Sequence, residues 1–118
     1  MAKTAQTHWK GSLVMSLALV VVAGSSAIAA QSAADLYSEK CAACHGDKGD
    51  GDGPAGKAMT PPPQPFSTAL NGKSDSWIGT VITKGGPAVG MTPAMPPHPT
   101  LTGDQVNALI QYVKGLKS

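Results

Sequence analysis

The sequence predicts an all-α fold: three main helices joined by long loops. Apolar residues recur at helical spacing in three separate runs, and each run is preceded by a residue suited to capping a helix. No stretch alternates apolar and polar residues for long enough to read as a strand. The intervening segments are rich in Gly and Pro, which punctuate helices rather than extend them.

The first helix is expected over residues 32–44. Ser32 stands as N-cap and Asp35 in the first turn, with Ala33, Tyr37 and Cys41 on one face at i, i+4 spacing. The second is expected over residues 75–84. Ser74 caps it, Trp77, Ile78, Val81 and Ile82 form its apolar stripe, and Gly85-Gly86 stops it. The third begins after Thr102, where Thr102-x-x-Gln105 forms a capping box. Val106, Leu109, Ile110, Val113 and Leu116 carry its stripe. Residues 46–64 and 85–100 read as loops.

These elements belong to residues 30–118. Residues 1–29 read instead as a cleaved signal peptide: Lys3 and Lys10 form a positive head, residues 13–23 an apolar run, and Ala27-Ile28-Ala29 a peptidase site. Eleven residues fall short of the roughly twenty that span a bilayer, so no membrane span is expected after cleavage. The formal charge of +2 comes from nine lysines against seven acids, with no arginine. Without Lys3 and Lys10, seven lysines face seven acids. A neutral chain lacking arginine is poorly suited to a phosphate backbone, so nucleic acid is not an expected partner.

The exported portion is too small to fill a core from its own side chains. Its aromatics are Tyr37, Phe66, Trp77 and Tyr112. Chains of this size usually need a staple or a cofactor. Cys41 and Cys44 are too close in sequence for a disulfide between them to restrain much chain.

"CAACH", Cys41 to His45, points to the missing centre. C-x-x-C-H is the attachment pattern for a covalent haem c. Two thiols on one helical turn each add to a vinyl group, and the histidine that follows is carried beneath the iron. A thioredoxin-like dithiol needs a strand–helix–strand setting, which is absent from the pattern. A zinc site would need more ligands than these. Asp47, Asp50 and Asp52 do not complete a calcium loop, because no glutamate closes it.

With these motifs the chain resembles the small bacterial class I cytochromes c, periplasmic carriers of one haem. The resemblance rests on "LYSEKCAACHGDKGDGDGPAG", "WIGTVITKGG" and "MPPHPTLTGDQVNALIQYVKGL". It implies the cytochrome c fold, with Ala33 and Tyr37 of the first helix packed on Leu109 and Tyr112 of the last. It also implies a non-enzymatic monomer in the periplasm that passes one electron between redox protein partners. A haem subunit of an oxidoreductase complex and a ligand-binding sensor are the rival readings.

Three groups compete for the second axial position: Met91, Met95 and His98. The family places its ligand in an M-P context, which selects Met95, seven residues before Thr102. Met91 is then expected as an apolar lid and His98 as solvent-facing. Members often set an arginine against a haem propionate. In its place Trp77 through its indole N–H, a lysine such as Lys84, or backbone amides would serve, with Trp77 preferred.

If the haem supplies the core, the chain freed of it should be largely unfolded. Far-UV circular dichroism of the haem-free chain should lack a cooperative thermal transition, and a sharp, well-packed one would overturn this expectation.

Overall fold

The computed structural model describes residues 30–116, together with Gly11 and Ala18. The expected leader thus lies almost wholly outside the described residues. Among the described residues all regular structure is helical: α1 (Ala33–Lys40), α2 (Ala42–His45), α3 (Pro54–Lys57), α4 (Phe66–Ala69), α5 (Asp75–Lys84) and α6 (Gly103–Leu116). A 3-10 turn, Gly86–Val89, follows α5. None of these helices is long and apolar enough to cross a membrane.

The three main helices start where their caps place them. Ser32 Oγ accepts from the Asp35 N–H at 3.1 Å, and Ser74 Oγ accepts from the Trp77 N–H at 3.1 Å. At α6 the capping box is reciprocal. The Thr102 N–H donates to Gln105 Oε1 at 2.9 Å, and the Gln105 N–H donates to Thr102 Oγ1 at 3.2 Å. Each cap satisfies donors that a helix start otherwise leaves without partners.

The first helix differs from expectation. It stops and restarts at Cys41, whose φ of −124° and ψ of −40° leave the α region. Hydrogen bonding continues through the break: the Cys41 N–H donates to Tyr37 O at 2.9 Å, and Cys41 O accepts from the His45 N–H at 2.9 Å. The first loop also holds a short helix, α3, that its Gly and Pro content conceals, and α4 follows just after its run of prolines. Pro54 at the first position of α3 suits a helix start, where its missing N–H costs nothing.

The terminal helices α1 and α6 pack together, and α5 and α4 pack against α6. Their shared core holds Leu36, Tyr37, Phe66, Leu70, Ile78, Ile82, Val106, Leu109, Ile110 and Val113. The rings of Tyr37 and Tyr112 stand 5.2 Å apart, so the expected crossing of the first and last helices is present. Leu36, absent from the expected i, i+4 face, is as deeply buried as Leu109. On the exposed side of this packing, Lys114 Nζ bonds Asp75 Oδ1 at 2.6 Å and Gln111 donates to Asp75 Oδ2.

Leu109 is 1% exposed. Leu109→Ala should therefore cost about 2–5 kcal/mol. Denaturant unfolding of the haem-loaded protein measures this directly, and a near-zero change would remove the α1–α6 crossing from the stabilising core.

Candidate functional site

A cavity of about 540 Å³ opens inside this frame. That lies within the roughly 300–1,000 Å³ of ordinary ligand pockets. Cys41, Cys44 and His45 contribute to one wall, and Trp77, Ile78, Val81 and Ile82 of α5 to another. Among the described residues α2 and α5 make no contact with each other. Residues of both nevertheless line the same cavity.

The attachment turn is held from several directions. Tyr37 Oη donates to Gly46 O at 2.6 Å, just beyond His45. Phe66 stacks on the His45 imidazole, with ring centroids 4.9 Å apart and planes tilted by 30°. On the outer side, α3 packs against α2. Gly56 permits this approach, because a Cβ there would collide with the Cys44 carbonyl. The glycines of this loop thus bring backbone onto the attachment turn.

Burial shapes the chemistry of this wall. It pushes the Cys41 thiol up to about 11 against the opposing pull of Lys40, so the thiol stays protonated at neutral pH. It holds His45 below its ordinary imidazole value, favouring the neutral form that can bind a metal. His45 Nδ1 is buried without a hydrogen-bond partner. Both cysteines are free thiols.

The proline-rich loop also lines the cavity. Gly86 N–H donates to Met95 O at 3.0 Å, and Met91 N–H donates to Gly86 O at 3.0 Å. His98 N–H donates to Ile82 O at 2.9 Å. Gly85, at φ +83°, both ends α5 and lets Met95 O pass close. Met95 is half-buried, whereas Met91 is 44% exposed. Met91, Met95 and His98 all line the cavity, as does Met59 from the end of the first loop. His98 is half-buried rather than solvent-facing, because its backbone bond to α5 draws it against the cavity.

Trp77 lines the cavity, while Lys84 is exposed and is not part of the lining. Two contributors carry weaker sequence signals. Phe66 follows a run of prolines, and nothing in that run shows that its ring meets His45. Lys73 sits with its Nζ 4.7 Å from the Trp77 ring centroid. Their four-residue separation is the one clue that could have paired them.

Two free thiols, a neutral imidazole and a thioether around a largely apolar cavity form a donor set that fits a covalently held haem. A helical frame enclosing such a set defines a c-type haem protein. The cytochrome c family model matches residues 30–117, and the chain belongs to that family. No match was found among curated proteins or among solved structures. The protein accordingly binds haem c covalently and takes part in haem-based electron transfer with redox partners.

His98 provides a pH test of the cavity wall. Burial first, and Lys40 second, hold its imidazole below the ordinary value. As pH falls below about 6.5 the unfolded chain takes up this proton before the folded one does. Stability is therefore fully present above that pH and declines below it. His98→Gln should flatten the decline between about pH 6.5 and 5 in denaturant titrations. An unchanged slope would mean that His98 titrates alike in both states.

Proposed function

We propose that the protein is an exported electron carrier of the small bacterial class I type, working as a periplasmic monomer rather than as an enzyme. Residues 1–29 act as the cleaved signal peptide and residues 30–118 as the carrier domain. Cys41 and Cys44 supply the thioether sulfurs, while His45 and Met95 supply the two axial ligands. The haem contributes the one-electron couple of its iron.

The observation that carries this reading is the arrangement of the two walls. His45 and Met95 line one cavity from different elements: His45 from α2, Met95 from the loop hydrogen-bonded to the end of α5 and the turn after it. Met59 follows α3, which packs on the His45 side. Met91 is the more exposed of the loop's two methionines. Pro93, Pro96, Pro97 and Pro99 limit the freedom the loop loses on folding, so holding the Met95 sulfur in place costs less entropy. Histidine–methionine ligation favours the reduced state and raises the potential. With both positions filled by side chains, the site has no room for a substrate at the metal, which suits a carrier.

Met95→Ala decides the ligand. The oxidised variant should lose the near-infrared methionine–iron charge-transfer band, and its reduced form should bind carbon monoxide rapidly at neutral pH. A wild type that already binds carbon monoxide would favour a sensor. Retention of the band in Met95→Ala would move the ligand to Met91 or Met59.

A further inference from the structure

The cavity contains an electrostatic asymmetry that its apolar character obscures. Lys40 and Lys73 are the cations among its lining residues. Lys40 precedes Cys41 directly and is paired with Glu39 at 3.2 Å. Lys73 comes from the turn leading into α5. The ion pairs among the described residues are Lys40–Glu39 and Lys114–Asp75, so Lys73 has no carboxylate partner among them. Its position over the Trp77 ring instead holds the ammonium group at the cavity wall.

A haem carries two carboxylates and brings them to whatever cavity encloses its ring. A carboxylate taken from water into a largely apolar site is costly unless a cation or hydrogen-bond donors meet it. The vinyl-derived substituents and the carboxylates occupy opposite halves of the macrocycle. Thioethers at Cys41 and Cys44 would hold the vinyl half near Lys40, leaving the carboxylates to another part of the wall. The chain has no arginine to receive them. We propose that Lys73, held over Trp77, is the cation that pairs with a haem carboxylate. Trp77 then acts as the platform that positions Lys73, whatever its own N–H contributes. This inference rests on covalent haem binding and is independent of the identity of the sixth ligand.

A lysine beside a carboxylate favours its ionised form, lowering its pKa by about 1–3 units. Protonation of the carboxylate makes reduction easier, so the midpoint potential rises as pH falls through that pKa. Tyr37, Lys40 and His98 are the other titratable groups of the lining, beyond the residues attached to the haem. The potential is therefore measured against pH in the haem-loaded His98→Gln protein, with and without further changes. Lys73→Gln should move the acid-side inflection upward by about 1–3 pH units. Lys73→Arg should leave it near its original place, and so should Lys40→Gln.

An inflection unmoved by Lys73→Gln would overturn the proposal, and so would an equal shift in Lys40→Gln. Absorption spectra and haem content of each variant separate these outcomes from a failure of haem binding. Should Lys73→Gln not load haem, lysine-labelled wild type gives the same reading by NMR. The Lys73 ammonium resonance should shift across the inflection, and its constancy would sink the pairing.

Discussion

Tyr37 joins the elements on which everything else is mounted. Its ring is buried between Tyr112 of α6 and Phe66 of α4, and its hydroxyl donates to Gly46 O at the end of the attachment turn. A phenol in such surroundings resists ionisation strongly, so it remains a donor across the range in which the protein works. One side chain thus fixes the crossing of the terminal helices and the height of His45 relative to that crossing. Phe66 then limits rotation of the imidazole by stacking on it.

The two cavity walls are built on different physical grounds. The His45 wall is a helical turn compressed by packing, with α3 behind it and aromatic rings beside it. The Met95 wall is a loop held by backbone hydrogen bonds to α5 and the turn after it, and its prolines restrict it before any contact forms. This division explains how a small chain tolerates so much irregular structure. Neither wall has to bury a large side-chain core of its own, because both close around a ligand.

Much of this arrangement is legible in local sequence, and the failures have a common cause. Ser32, Ser74 and Thr102 announce their helices because capping is settled within a few residues. The Cys–His spacing likewise states its chemistry over five positions. The stack of Phe66 on His45 and the half-burial of His98 both depend on contacts between separated segments. Periodicity has no means of reporting them. Lys73 illustrates the limit best: as a residue it resembles any surface lysine, and only the ring beneath it and the cavity beside it distinguish it.

The pairing of Tyr37 with Tyr112 also has a consequence in time. These residues lie 75 positions apart, near opposite ends of the helical domain. A clasp of this kind closes a long loop and cannot form until α6 is available. Cys41, Cys44 and His45 follow α1 immediately and so emerge early, while the partner that will bury Tyr37 is still to come. The order of the chain therefore presents the attachment motif first and its lock last, leaving an interval in which both thiols are open to chemistry that the finished fold would enclose.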